Sequence, residues 1–224
     1  MTSPYQTYGR RHSRRWSEER EQHVFTHPLI LKMPEADSLD LTTLFDVPPK
    51  QLWLEIGFGY GEHLLAVAQT HPNAAIVGAE VYLSGVSATL EGLEAFGCQN
   101  ARLFPADGRL LLDRIVDQSV DAVVLLFPDP WPKARHEKRQ MFSPHFMKNL
   151  QRILKPGALF RFASDAPPYV EKVLETMAGA TAFTCTDHWK TPERPTSDDW
   201  PPTRYEMKAI AAGRVCQYFH YRYL

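Results

Sequence analysis

Apolar positions change rhythm near residue 50. Before it the chain is polar, arginine-rich and weakly periodic. Residues 1–35 read as a basic N-terminal arm, open to flexibility, with a short helix around Arg14 to Gln22. A single domain over 36–224 follows. From Gln51 onward, short apolar runs alternate with stretches whose apolar residues recur every three or four positions. QLWLEIG predicts a first strand ending in glycine, and GEHLLAVAQTH a helix with Leu64, Leu65 and Ala68 on one face. AAIVGAEV predicts a second strand. SGVSATLEGLEAFG predicts a helix with Ser84 as N-cap, Gly97 as stop, and Val86, Leu90 and Leu93 as its stripe. ARLFPAD is a third strand and GRLLLDRI a short helix. VDAVVLLF is a fourth strand. Phe142 to Leu154 reads as a helix capped near Ser143, with Pro144 at its first position. Lys155-Pro156-Gly157 reads as a turn, ALFRFASD as strand five and PPYVEKVLETMAG as a helix. Thr181 to Asp187 and Arg214 to Tyr221 complete seven strands.

Strands that alternate with helices at crossover spacing predict an α/β fold. The sheet is mainly parallel and seven-stranded, Rossmann-like, with helices on both faces. Such sheets bind ligands at the carboxyl ends of their strands, near the topological switch. With 44% hydrophobic and 23% charged residues, the 224-residue chain suits one sizeable core. It holds no run of 18 apolar residues, so no membrane span is expected. MTSPYQTYGRRHSRRW has charge but no apolar run of signal-peptide type. Cys98, Cys185 and Cys216 form no CxxC pair, so neither a disulfide framework nor a metal site is indicated. The expected location is cytoplasmic. Net charge is −1, which argues against binding nucleic acid by bulk charge. The charge is nevertheless uneven. Arg10, Arg11, Arg14 and Arg15 crowd one segment, and Lys133, Arg135, Lys138 and Arg139 another. Either cluster suits a phosphate backbone at one face.

An acid closes each of the first strands or follows it. Glu55 precedes Gly57, Gly59 and Gly61, a glycine loop between strand and helix. Glu80 ends strand two, Asp107 ends strand three, and Asp129 follows strand four. A dinucleotide brings a pyrophosphate, which four carboxylates would repel. S-adenosylmethionine brings an ammonium, a sulfonium, a ribose diol and an adenine amine. On that reading Glu55 serves the methionyl or sulfonium side and Glu80 accepts from the ribose. Asp107 accepts from adenine N6, with Ala106 and Gly108 near the ring. Any one of these acids alone is more often a solvated loop carboxylate; four, one per strand, favour the cofactor.

LEIGFGYGEH, the FPDPWPKARHEKR block, Ser164-Asp165 and Thr203-Arg204-Tyr205-Glu206 together resemble the bacterial tRNA (guanine-N7)-methyltransferase family. This is a family of class I S-adenosylmethionine-dependent methyltransferases. The resemblance runs from about Leu52 to the C-terminus, and the family more often has phenylalanine where Tyr205 stands. It implies methyl transfer from S-adenosylmethionine to N7 of guanosine in the tRNA variable loop, at position 46, giving 7-methylguanosine. Guanine N7 carries a lone pair and no proton, so it needs orientation and electrostatics rather than a base. Asp129 is then the catalytic residue and a cofactor contact; whether it also moves a proton is open. Lys133, Asp165, Thr203, Arg204, Tyr205 and Glu206 fall on the substrate side. Arg135, Lys138 and Arg139 hold phosphates, or else form a solvated helix face. Trp131 packs on the base or ribose, or belongs to the rim of the core. His136 reads as a surface residue. The long segment KTPERPTSDDWPPTRYE would carry Thr203 to Glu206 over the pocket mouth. The RRHSRR arm is a further RNA clamp or a disordered tail.

Three other readings compete. One is a class I methyltransferase acting on other RNA, DNA or protein. Another is a noncatalytic RNA-binding module. A nicotinamide dehydrogenase is the third, although the loop reads GxGxG rather than GxGxxG.

Overall fold

The computed structural model describes Tyr5 and residues 10–131, 133–194 and 197–224. Helix α1 (Glu18–Thr26) precedes strand β1 (Gln51–Ile56), with a 3-10 turn at Leu41–Leu44 between them. Then come α2 (Glu62–Thr70), β2 (Ala74–Ala79), α3 (Leu83–Ala95), β3 (Ala101–Phe104), α4 (Gly108–Leu112) and β4 (Val120–Leu126). A 3-10 segment at Ala134–Arg139 leads to α5 (Pro144–Ile153), β5 (Leu154–Ser164) and α6 (Pro167–Ala178). The chain ends with β6 (Phe183–Lys190), α7 (Arg204–Ala211) and β7 (Gln217–Tyr223). The strands form one sheet in the order β3-β2-β1-β4-β5-β7-β6. Strands β1 to β5 pair in parallel, and β7 runs antiparallel to both β5 and β6. This is the mainly parallel, Rossmann-like sheet expected from the sequence. The strand order reverses between β1 and β4, the kind of place where such sheets open a crevice for ligand.

Two-residue periodicity assigns the faces. Leu52, Leu54 and Ile56 of β1, Val77 of β2, and Val123 and Leu125 of β4 share one face with α4, α5 and α6. Trp53, Ile76, Val124 and Leu126 share the other with α1, α2, α3 and α7. Helices cover both faces, which is why these strands read as continuous apolar runs. Part of the stretch read as an arm is built into the second face. Val24 of α1 is fully buried, Leu29 and Ile30 are buried on this face beside β3, and Leu31 turns to the first face. There Leu103 N–H donates to Leu29 O (2.9 Å) and Leu31 N–H to Leu103 O (2.8 Å), which satisfies that sheet edge. The helix itself begins at Glu18 behind the cap Ser17, later than the spacing predicted.

Three local readings are corrected. Ser84 is not the cap of α3: Tyr82 occupies that place without a side-chain bond, and Ser84 Oγ accepts from Ser13 N–H instead. Lys155-Pro156-Gly157 is not a free turn but a bulge inside β5. Val120 pairs with Leu154 and Ala122 with Leu159, so the extra residues loop out where Gly157 takes φ +82°. The proline-rich segment before Arg204 ends in a helix that periodicity did not reveal.

That helix, α7, is anchored from outside itself. Thr203 and Glu206 form a reciprocal capping box. Glu206 is buried and accepts from Arg194 Nη1 (2.9 Å) and from the Tyr218 hydroxyl (2.8 Å). Arg194 also donates to the carbonyl of Trp200 and lies over its ring. Removing one member of a buried ion pair strands the other charge. Arg194→Ala is therefore expected to cost about 3–5 kcal/mol of stability. Urea unfolding checks it; a loss below about 1 kcal/mol would show that water already screens the pair.

Candidate cofactor and substrate cleft

A cleft of about 330 Å³ opens at the carboxyl ends of β1 to β4. Each of its walls follows from a strand end. β1 runs into the glycine loop, where Gly57, Gly59 and Gly61 all have positive φ. At Gly61 a Cβ would lie 2.3 Å from Thr89 Oγ1, so this loop closes against α3 only without a side chain. Gly85 meets the same need from the α3 side: a Cβ there would lie 2.0 Å from the Gly59 carbonyl oxygen. Glu80, just after β2, fastens the two together. Its Oε2 accepts from Gly59 N–H (2.8 Å) and its Oε1 from Tyr82 N–H (2.8 Å).

Asp107 follows β3 and caps α4. Its Oδ1 accepts from Arg109 N–H (3.0 Å) and Nε (2.9 Å), and its Oδ2 from Arg109 Nη2 (2.6 Å). Asp129 follows β4 between two strained residues, Phe127 at φ +48° and Trp131 at φ +41°. Phe127 N–H donates to Ala163 O (2.8 Å), and Gln140 Nε2 donates to Pro130 O (2.7 Å). Lys172 Nζ holds the far side of this loop through Glu137 (2.9 Å) and Gln140 (2.8 Å).

Gly57, Gly59, Glu80, Asp107 and Asp129 all line the cleft, as do Trp131, Arg139 and Tyr205. Glu55 departs from its expected place: its carboxylate does not line the cleft. Residue 55 shares a sheet face with Trp53, so it is buried toward α2. There Oε2 accepts from His63 Nδ1 (2.7 Å). Arg161 donates to His63 Nε2 (2.9 Å), which fixes the ring proton on Nδ1. Arg161 continues to His220 (3.1 Å) and Asp199 (3.3 Å) and lies 4.3 Å over the Trp200 ring. Burial, then the Arg161 charge, push His220 down to about 4.

The remaining sequence candidates divide. Lys133, Arg135 and Lys138 are exposed, while Arg139 turns back and lies 4.9 Å over Trp131. His136 packs edge-on to Trp131 at 5.7 Å. Arg204 lies 4.0 Å over Tyr60 and pairs with Glu62 (3.2 Å), which leans α7 on the glycine loop. Thr203 and Glu206 are buried in the capping box, and Asp165 pairs with Arg214; none of the three lines the cleft. Tyr82, Arg109 and Met141 line it without having been singled out, and so does Arg10, which the sequence placed in an RNA clamp or a disordered tail. Outside the cleft, His23, His27 and Glu94 bring their ligand atoms within 4.8 Å of one another. Both His27 nitrogens are engaged without an ion, Nδ1 by Leu29 N–H and Nε2 by Glu94. No helix among the described residues is long and apolar enough to cross a membrane.

A family model described as "Putative methyltransferase" matches residues 49–218. A tRNA (guanine-N(7)-)-methyltransferase from Azorhizobium caulinodans is 47% identical over 182 residues, 80% of this chain and 77% of its own length. One from Rhodospirillum rubrum is 40% identical over 220 residues, 96% of this chain and 86% of its own. Among solved structures, the 16S rRNA (adenine(1408)-N(1))-methyltransferase from Catenulisporales acidiphilia superposes with a TM-score of 0.56. It is 16% identical, over 86% of this chain and 96% of its own, a likeness of fold.

Glu80 and Asp129 hold protons more tightly than ordinary carboxylates. Burial is the first cause at both. At Glu80 the N–H groups of Tyr82 and Gly59 oppose it, and the Asp129 charge adds to it. Asp129 is open to the cleft, yet the flanking loop removes enough water to raise it. A folded pKa above the unfolded one means that the fold binds the proton better. These two groups therefore add stability at low pH that is lost as pH rises through their shifted range. Carboxyl carbon NMR titration is expected to place both midpoints above the ordinary carboxylate range. A midpoint at or below it would remove the burial argument.

Proposed function

The chain belongs to the tRNA (guanine-N7)-methyltransferase family, and we propose on that footing how its cleft performs the reaction. The enzyme methylates guanine N7 in tRNA and draws the methyl group from S-adenosylmethionine. The reading is carried by one observation: three carboxylates that follow β2, β3 and β4 share a cleft with an arginine-bearing loop. That donor set fits S-adenosylmethionine and not a pyrophosphate, whose charge it would repel. When bound, the cofactor supplies an electrophilic methyl on a sulfonium.

Glu80 spends one lone pair of each oxygen on the backbone and keeps others for the ribose diol. Asp107, with its charge balanced by Arg109, presents an acceptor to the adenine amine. The backbone of Gly57 and Gly59 leaves room for the methionyl chain. Glu55 serves from behind: through His63 and Arg161 it braces the end of β1 rather than touching the sulfonium. Asp129 sits beside the reacting atoms. Guanine N7 would attack the methyl carbon with its own lone pair as the carbon–sulfur bond breaks, and the positive charge would pass from sulfur to the ring. The Asp129 carboxylate offsets that charge, and its proline-flanked backbone holds it where the charge appears. Trp131 and Tyr205 wall the space for the target base, and Lys133 stands on the exposed side of the same loop. Arg135, Lys138 and Arg139 take backbone phosphates. Thr203 and Glu206 act on tRNA through the helix that they cap, which sets Arg204 and Tyr205 at the cleft mouth. Asp165, paired with Arg214, belongs to the outer substrate rim. The target is the guanosine at position 46 in the variable loop, and the enzyme works in the cytoplasm.

Incubation with labelled S-adenosylmethionine and unmodified tRNA, followed by nucleoside analysis, is expected to give 7-methylguanosine; label in another nucleoside would overturn the assignment. Asp129→Asn keeps the size and removes the charge. It is expected to lower the single-turnover rate by about two to three decades, the usual loss of one preorganised electrostatic partner. A rate within threefold of the parent would make Asp129 a structural corner. Changing Arg135 and Lys138 together to Ala is expected to flatten the salt dependence of tRNA binding, by roughly 0.7–0.9 in log–log slope per lost contact. An unchanged slope would mean that the segment is a solvated face.

A further inference from the structure

We propose that Tyr5 and the segment from Arg10 to Ser13 are part of the cofactor site and complete its adenosine end. This rests on the reading of the cleft as the S-adenosylmethionine site. The first observation is that α3 lacks a side-chain cap. Its first N–H groups need acceptors from elsewhere. The N-terminal segment provides one: Leu83 N–H donates to the Arg11 carbonyl (2.6 Å). Two residues on, Ser13 N–H donates to Ser84 Oγ (2.8 Å). Residues 11 to 13 are thus fastened to the turn that follows Glu80 and Tyr82, and Arg10 lines the cleft.

The second observation lies at the other end of the nucleoside site. The Tyr5 ring lies 4.4 Å from the Arg109 guanidinium, the group that grips both oxygens of Asp107. Its hydroxyl donates to Asp113 Oδ2 (2.5 Å) and lies 2.9 Å from His145 Nε2. Burial, and then Asp113, push this phenol up to about 12, so it stays a donor at neutral pH. Tyr5 is accordingly a positioning residue: it sets Arg109, Arg109 sets Asp107, and Asp107 meets the adenine amine. Arg10 is placed to touch the ligand itself. A cation there would repel the sulfonium and the ammonium. It suits the neutral adenine face, on which a guanidinium stacks well. Both contacts therefore favour the adenosine half, and neither requires tRNA.

The test uses the full chain with Tyr5→Ala, Tyr5→Phe and Arg10→Ala. Calorimetry gives the affinity for S-adenosylmethionine and S-adenosylhomocysteine; steady-state rates give kcat and KM for cofactor and for tRNA. Tyr5→Ala and Arg10→Ala are each expected to weaken both cofactor forms by about tenfold, the scale of one cation–π contact. Cofactor KM should rise, with kcat and tRNA KM within about twofold of the parent. Tyr5→Phe keeps the ring under Arg109 and should bind cofactor within about twofold of the parent. Arg10→Ala, an exposed change, covers the case in which Tyr5→Ala fails to fold. Unchanged cofactor affinity in Arg10→Ala and Tyr5→Ala would overturn the proposal. So would a loss confined to tRNA KM, which would assign the segment to the RNA surface. If the parent binds neither cofactor form, the reading of the cleft falls, and this inference with it.

Discussion

One carboxylate holds the cleft in shape. Glu80 accepts a backbone N–H from Gly59 on one oxygen and from Tyr82 on the other. The glycine loop after β1 and the start of α3 come from separate strands, and this acid ties them into one wall. The tie works because Gly85 lets the Gly59 carbonyl approach where any Cβ would collide. Burying the acid raises its hold on a proton, and the two amides oppose that rise. Contacts of this kind limit the freedom of both segments, which lowers the ordering cost of binding.

The acids of the strand ends look equivalent in sequence and are not. Glu55 shares the face of Trp53, and the alternation of β1 sends it to α2 instead of the crevice. Its chain of contacts through His63, Arg161 and Asp199 reaches the Trp200 region that precedes α7. A buried charge needs partners in good geometry, and here three polar groups supply them. The same chain links the floor of the cofactor loop to the helix carrying Tyr205. The glycine-loop wall and the Tyr205 wall of the cleft are therefore braced by one polar network on the α2 face of the sheet.

What the sequence showed and hid follows from where the stabilising contacts lie. The βα alternation was legible because both sheet faces are covered, which leaves apolar runs of strand length. The carboxyl-end acids were legible because the fold class fixes where ligands bind. Helix α7 was hidden by its polar, proline-rich approach. Its anchors, Arg194 and Tyr218, lie outside the helix, each 12 residues from Glu206, so no helical period shows them. The direction of Glu55 was available from counting two residues back to Trp53. Nothing local marks Arg10 as a cleft residue, since its position depends on a carbonyl that caps a helix about seventy residues away.

The proline-flanked acid now has a physical reason. The chain leaves β4 through Phe127 and reaches Trp131 with both residues in the left-handed region. Two prolines between them remove the backbone freedom that would let this strain relax. The fold sustains it through Phe127 N–H to Ala163, Gln140 to Pro130, and Lys172 to the following 3-10 segment. Asp129 is thereby held at the cleft, where the flanking loop takes part of its water and raises its hold on a proton. A carboxylate short of water interacts more strongly with a positive charge that appears beside it. On the proposed reading, the move of the methyl from sulfur to guanine N7 shifts the positive charge from the cofactor to the base, and more of it lies on the base in the transition state than in the bound substrate. On the proposed reading, that strained and partly shielded loop serves the step itself, and the basic residues beyond Trp131 are the ones offered to the tRNA strand.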